Sequence, residues 1–471
     1  MTTKSVETNS RTVVKAGIWY TLSSFLTKGI VFITTPIFTR ILTGEEFGEY
    51  CNFVAWAGIV TIIASMEMHA TVNRARYDFE NIDGYLSSVA LTGTITTCVM
   101  WTIVQLFPDF FCHILSMENK WVNLLFLTTL VSPALTLFQA KNRIKYQYKT
   151  FVFLSFGSVF LSTFVSLLLV FLMSNKLTAR IYGQYGTIFF IDICVYFYII
   201  LKGHQFKLSE CKYAIIICIP TIPHLLSMYI LNQSDRIMIK QFCGATETAY
   251  YSLAYSCAMI PMMLAQATNI AWSPWSSEMI YGGNFEKVKR VSYYYILFFY
   301  SILINIFLLG PEIIFILGGE GYVSSIDVMP PVVMGAAFQF LYGLYVGLEQ
   351  FAKKTVGMAI ASVSVAVINV LLNWVMIPRY GYVAAGYTSL ISYACLLAIH
   401  YFLATKTNYI NAYDTKFVFI SVLLLLIFMF FIIWLYSLSS FVRFLLVIIF
   451  TFIICYNIYK NKNMLMSVIR K

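Results

Sequence analysis

The chain has 471 residues, 59% hydrophobic and 11% charged, with mean hydropathy +0.76 and a formal net charge of +11. An ordinary soluble domain carries about 25% charged residues, so a soluble enzyme is excluded. The ten cysteines stand singly, with no CxxC pair and no His/Cys cluster at ligand spacing, so no metal, cofactor or disulfide framework is expected.

Residues 1–15 are polar and read as a cytoplasmic segment. The apolar run that follows is too long for a signal-peptide h-region, so no cleavage is expected. Apolar runs of about 20 residues, the length that crosses a bilayer core, then follow at 16–38, 50–70, 85–107, 121–140, 151–173, 180–201, 213–234, 248–270, 291–317, 327–350, 355–377, 381–404, 417–436 and 441–458. Runs this long and evenly apolar predict helices rather than barrel strands, which are shorter and alternate. The expected fold is therefore an all-α polytopic membrane protein of about fourteen spans. Its parts are a six-helix bundle over 16–201, a second over 213–404, two additional helices over 417–458 and a cytoplasmic tail, 459–471. The longest stretch between spans is 271–290, which leaves no room for a soluble catalytic domain, and no GxxxxGK[ST] phosphate loop occurs.

Lys and Arg concentrate in cytoplasmic loops. With the N-terminus inside, 23 of the 32 basic residues fall on the cytoplasmic side and 8 outside, Arg40, Lys176, Arg180, Arg236 and Arg443 among them, leaving Lys28 as the one placed within a span. The alternation supports an N-in, C-in topology. The positive charge is thus a topology signal, and no basic, aromatic-interleaved face for nucleic acid lies outside the spans.

An internal repeat runs at an offset of 200. Ile37…Arg40…Gly44…Tyr50 faces Ile237…Lys240…Gly244…Tyr250, and Phe138-Gln139 meets Phe338-Gln339, Gly157 Gly357, Ser162 Ser362 and Gly186 Gly386. Pro108-Asp109 faces Pro311-Glu312 at 203. Six spans per half make the repeat parallel, a build common among alternating-access transporters.

A charge at the bilayer centre costs about 2.5–3.5 kcal/mol on insertion scales, so Lys28 needs a reason. Thr21, Ser24, Lys28, Thr35 and Thr39 form one polar stripe, and the seventh run repeats it with Thr221, His224, Met228 and Asp235, flanked by Ser227 and Asn232. Both helices are expected to line an aqueous cavity between the halves, with Arg236 either meeting an anionic headgroup or anchoring its helix. The alternatives for Lys28 are snorkelling or pairing with Glu67 or Asp192, and for His224 a packing role in a helix kinked by Pro220 and Pro223. Asp192 and Glu67 are candidates for ion coupling. Glu349 is expected to pair with Lys353 at i,i+4, and Gly343-xxx-Gly347 to form a packing seam.

Three segments carry a family likeness. Lys15-Ala-Gly-Ile-Trp-Tyr…Thr39-Arg-Ile-Leu-Thr-Gly-Glu-Glu-Phe-Gly-Glu-Tyr50, Asn232-Gln-Ser-Asp-Arg-Ile-Met-Ile-Lys240…Tyr250-Tyr-Ser-Leu-Ala-Tyr255 and Asn373-Trp-Val-Met-Ile-Pro-Arg-Tyr-Gly-Tyr-Val-Ala-Ala-Gly386 resemble the polysaccharide transporter family. These are Wzx-type O-antigen flippases, in the superfamily that also holds multidrug/toxin extruders and the lipid II flippase. The pattern departs at Thr248-Ala249, where Val-Gly is usual, although Gly48 keeps the glycine in the first half. The resemblance implies a flippase of a bacterial inner membrane. Its substrate would be an undecaprenyl-pyrophosphate-linked oligosaccharide carried from the cytoplasmic to the periplasmic leaflet for lipopolysaccharide or capsule synthesis. An O-antigen polymerase and a chain-length regulator are the candidate partners. A drug or cation extruder of the same fold and, from a different class, an O-antigen polymerase or membrane glycosyltransferase are the alternatives.

Overall fold

The computed structural model describes residues 10–437 and 440–460, so Lys4 and most of the expected tail lie outside the described residues. The described residues contain helices and no strand. The first six long helices are α1 (Ser10–Ile41), α2 (Gly44–Ser65), α3 (Ile82–Leu106), α4 (Asn119–Ile144), α5 (Tyr148–Leu172) and α6 (Lys176–Gly203). The next six are α7 (Leu208–Phe242), α8 (Ala245–Tyr281), α9 (Phe285–Leu308), α10 (Ser325–Phe351), α11 (Thr355–Tyr380) and α12 (Val383–Thr405), followed by α13 (Thr415–Leu435) and α14 (Ser440–Lys460).

Every expected run falls on one of these helices. Twelve of the helices are long and apolar enough to cross a membrane by length and composition. The other two are α8, whose hydroxyl and amide residues dilute its apolar content, and α14, whose described apolar part is Ser440–Phe452. Large apolar side chains such as Phe153, Phe171, Phe190 and Phe419 are exposed along the helices, as lipid contact requires.

Three helices are interrupted, two of them at prolines. Pro133 restarts α4 at Pro133–Ile144. A 3₁₀ turn, Ile219–Thr221, sits in α7 beside Pro220 and Pro223, where a kink was expected. In α6 one π-helical turn, Tyr182–Gly186, follows the short opening segment Lys176–Ile181. By contrast, the start of α2 is regular: Thr43 and Glu46 form a reciprocal capping box.

The chain divides into two compact units, Met1–Gln233 and Ser234–Lys471, with the division inside α7. The helix pattern of the first half recurs in the second. Short helix Pro108–Leu115 follows α3, and Gly310–Gly318 follows α9. Within unit 1 one core gathers Val72, Tyr85, Leu86, Leu137 and Ile199, and a second gathers Phe53, Val104, Trp121, Leu125 and Ile181. In unit 2, α10 is the most enclosed span: 72% of the residues in its apolar stretch are buried, against 11% in α1. The α13–α14 hairpin is fastened to this unit by Arg443, which bonds both oxygens of Glu312 (2.7 and 3.1 Å).

Candidate functional site

On α1 the polar positions from Thr21 to Thr35 share one side of the helix, whereas Thr39, at the end of the expected stripe, is buried. One side of the helix, at Ala16, Tyr20 and Ser23, packs along α5, where Tyr20 meets Phe151 at 4.7 Å. At 3.6 residues per turn, Thr21, Ser24, Lys28 and Thr35 lie about 100° around the helix from that contact. Ser24 is exposed, and Thr21, Lys28 and Thr35 are half-buried. The hydroxyl of Thr21 donates to the Gly17 carbonyl (2.9 Å) and that of Thr35 to Val31 (2.8 Å). Satisfied within their own turn, these hydroxyls are tolerated at membrane depth while their second lone pairs stay available.

The candidates on α7 separate into two environments. His224 and Asn232 belong to unit 1 and are half-buried. Among the described residues His224 Nδ1 has no hydrogen-bond partner, whereas Asn232 Nδ2 donates to the Met228 carbonyl (2.7 Å). Asp235 and Arg236 belong to unit 2 and are buried.

Asp235 is the centre of a network that sequence reasoning missed. Its Oδ1 accepts from Asn373 Nδ2 (2.7 Å), and its Oδ2 accepts from the hydroxyls of Ser389 (2.6 Å) and Tyr251. Thr388 donates to Asn373 Oδ1, and Ser234 donates to Asn369 Oδ1 (2.9 Å). Four helices, α7, α8, α11 and α12, thus meet on one carboxylate. Beside it Arg236 Nε donates to Ser252 (3.2 Å), and the guanidinium lies 4.4 Å from the centre of the Tyr255 ring. A set of one carboxylate with amide and hydroxyl oxygens is the donor chemistry of a hard cation, although three donors already satisfy the carboxylate. The sequence signal for this network is Asn373, a buried amide that opens the Asn373…Gly386 motif.

The two ion-coupling candidates also differ. Asp192 on α6 is 2% exposed, and its Oδ1 has no hydrogen-bond partner among the described residues. Glu67 lies past the end of α2 at φ 50, outside the helix, and pairs with His69 Nδ1 at 3.2 Å.

Two expectations need correcting. Glu349 does not pair with Lys353. It meets His400 Nδ1 at 2.8 Å, both residues being 2% exposed or less, because α10 ends at Phe351 and Lys353 turns away at φ 58. Nor is Lys28 the one cation within a span. Lys141, Arg180 and Arg236 are all buried on spanning helices, and Arg443 is buried on α14. Lys141 pairs with Asp83 and Arg443 with Glu312.

The model of the polysaccharide biosynthesis protein family matches residues 13–280, and the MatE family model matches 220–375. A Haemophilus influenzae protein of the Lsg locus is 22% identical over 282 residues, covering 57% of this chain and 67% of that protein. Among solved structures, the lipid II flippase MurJ in an inward closed conformation superposes with a TM-score of 0.71 at 15% identity, covering 94% of this chain and 99% of that one. An inward-facing multidrug resistance MATE family transporter of the MOP superfamily superposes with a TM-score of 0.57 at 12% identity, covering 85% and 98%. These likenesses carry the fold, and the family match spans more than half of the chain: it belongs to the polysaccharide biosynthesis protein family.

Proposed function

We propose that the protein is a flippase of a bacterial inner membrane. It moves undecaprenyl-pyrophosphate-linked oligosaccharide units from the cytoplasmic to the periplasmic leaflet by alternating access, for O-antigen or capsule synthesis. The observation that carries this reading is the half-buried Lys28, set among hydroxyls on α1, the least enclosed of the candidate spans and part of the stretch matched by the polysaccharide biosynthesis family.

The chemistry follows from charge and dielectric. A pyrophosphate cannot enter the hydrocarbon core alone, and a fixed ammonium lowers the barrier by supplying the opposite charge where water is scarce. Thr21, Ser24 and Thr35 on α1, with His224 and Asn232 on α7, present donors and acceptors of the kind that sugar hydroxyls require. Asp235 and Arg236 act within unit 2, by bracing their own end of α7. Asp192, a buried carboxyl with an unpartnered oxygen, is suited to carry a proton and so to couple export to a proton gradient.

The test is replacement of Lys28 by Ala and by Arg in cells that need the protein for surface polysaccharide. Loss of polysaccharide with Lys28→Ala at normal protein level, and retention with Lys28→Arg, is expected. Normal polysaccharide with both variants overturns the role of Lys28.

A second reading, export of an organic cation, draws on one observation: Asp235 and two of the residues that bond it, Tyr251 and Asn373, lie inside the stretch matched by the MatE family. It expects Asp235→Asn to sensitise cells to cationic dyes, and unchanged dye tolerance removes it.

A further inference from the structure

Arg180 is buried, 7% exposed, near the start of α6. Among the described residues, every other buried cation has a carboxylate at hand: Lys141 has Asp83, Arg443 has Glu312, and Arg236 follows Asp235 in the chain. Arg180 has none; among the described residues no Asp or Glu oxygen lies within 4.0 Å of it. A buried charge without a countercharge is costly in a membrane protein and marks a functional position by default.

Its surroundings hold the guanidinium in place and leave one edge underused. Nη1 donates to Ser166 Oγ (2.9 Å), and the Ser166 hydroxyl donates to the Arg180 carbonyl (2.9 Å), fixing the residue at its base. The plane sits over Phe38 of α1, 3.6 Å from the ring centre, and 4.5 Å from that of Tyr50. On the edge formed by Nε and Nη2, among the described residues Nε has no partner and Nη2 donates only to the Tyr50 hydroxyl (3.0 Å). That is the edge on which a guanidinium takes two oxygens of a phosphate or carboxylate side by side.

Tyr50 and Gln184 close this edge. The Tyr50 hydroxyl donates to Gln184 Oε1 (2.7 Å), and both side chains are half-buried. Gln184 rides on the π-helical turn Tyr182–Gly186, an irregularity frequent at functional sites. Gly183 in that turn is pressed against Ser166: a Cβ there would lie 2.3 Å from the Ser166 Cα. The repeat does not reproduce the arrangement, because Tyr250, which matches Tyr50, meets Tyr382 instead (5.9 Å).

We propose that Arg180 is the anion-binding residue of a second site in unit 1, taking two oxygens of a phosphate or carboxylate on its Nε–Nη2 edge when the Tyr50–Gln184 lid opens. On the N-in topology this is the outer end of unit 1. Lys28 and Phe38 lie ten residues apart on α1, about 15 Å along the axis at 1.5 Å per residue, so an anion leaving Lys28 outward meets Arg180 next. The source of the anion rests on the flippase reading: either the carrier diphosphate or an acidic sugar.

The experiment uses the purified full-length protein in lipid nanodiscs, titrated with inorganic pyrophosphate and separately with glucuronate. Binding is read by calorimetry and by the shift in melting temperature. Wild type binds one of the anions, Arg180→Gln weakens that binding at least tenfold, and Tyr50→Phe, which frees Nη2, binds at least as tightly as wild type. Pyrophosphate dependence on Arg180 supports the site and assigns the carrier; glucuronate dependence supports the site and assigns the sugar. Equal binding by wild type and Arg180→Gln, or binding of neither anion by wild type, overturns the proposal, as does an Arg180→Gln protein that only loses thermal stability. If Arg180→Gln does not fold, Arg180→Lys decides: it keeps the charge and loses the paired edge, so unchanged affinity overturns the site. Binding is read without transport, so this result stands apart from the Lys28 export test.

Discussion

Replacing Asp235 by Ala removes the acceptor of three donors at once: Asn373 Nδ2 and the hydroxyls of Ser389 and Tyr251. Tyr251 and Asn373 are fully buried, so water cannot take over. Interhelical hydrogen bonds in membranes contribute about 0.6–1.7 kcal/mol each, which makes the loss about 2–5 kcal/mol, close to the about 3–5 kcal/mol for breaking a buried charged pair. At about 2–4 °C per kcal/mol for a unit of this size, Asp235→Ala is expected to lower the melting temperature by about 4–20 °C. Asp235→Asn keeps the shape. Its Oδ1 still accepts from Asn373, and the two hydroxyls can reorient to accept from the new amide, so its melting temperature is expected close to that of wild type. The assay is fluorescence-detected thermal unfolding of the purified full-length protein. An Asp235→Ala protein that melts with wild type would refute the network as a brace. An Asp235→Asn protein as unstable as Asp235→Ala would show that the negative charge itself is required, as an occupying cation would demand.

Other outcomes follow from particular contacts. Cutting the bidentate pair that fastens α14, by Arg443→Met, leaves the partly exposed Glu312 without its partner and is expected to cost about 1.5–3 kcal/mol, whereas Arg443→Met with Glu312→Leu costs less than the sum of the single changes; additive losses in a double-mutant cycle contradict the pairing. The same cycle on Glu349→Leu and His400→Phe is expected to show strong coupling, and none between Glu349 and Lys353. Gly183→Ala forces α5 and α6 apart at Ser166 and is expected to cost about 1–3 kcal/mol, as overpacking does. Gly58→Ala, whose nearest neighbours are the hydroxyl and outer ring atoms of the Tyr229 side chain rather than backbone, is expected to cost less. Melting temperatures of the two glycine variants check the order, and a milder Gly183→Ala contradicts the close approach.

The spans were legible in the sequence because a bilayer imposes one rule on every helix that crosses it, a long run of apolar residues, and that rule is local. The repeat was legible for a similar reason: Tyr50 and Tyr250, and the short helices after α3 and α9, preserve a register. Partnerships were not. Glu349 was paired with Lys353 by helix spacing, but spacing presumes that the helix continues, and α10 ends at Phe351, freeing Glu349 to meet a histidine 51 residues away. Arg180 was counted as an outer loop charge because the apolar run began at residue 180. The structure extends α6 back to Lys176 and buries the arginine among Phe38, Tyr50 and Ser166, contributed by three other helices. The Asp235 cluster joins positions 16 to 154 residues apart, a separation at which one sequence has no periodicity to read.

The central claim is transport of a lipid-linked oligosaccharide through a path that uses Lys28. The measurement is the rate at which a fluorescent undecaprenyl-pyrophosphate-linked oligosaccharide becomes accessible across vesicles reconstituted with wild type, Lys28→Ala or Lys28→Arg. Wild type and Lys28→Arg are predicted to equilibrate the lipid across the bilayer, and Lys28→Ala to leave it near the rate of protein-free vesicles. Equal rates for Lys28→Ala and wild type, or no transfer by wild type, would contradict the account.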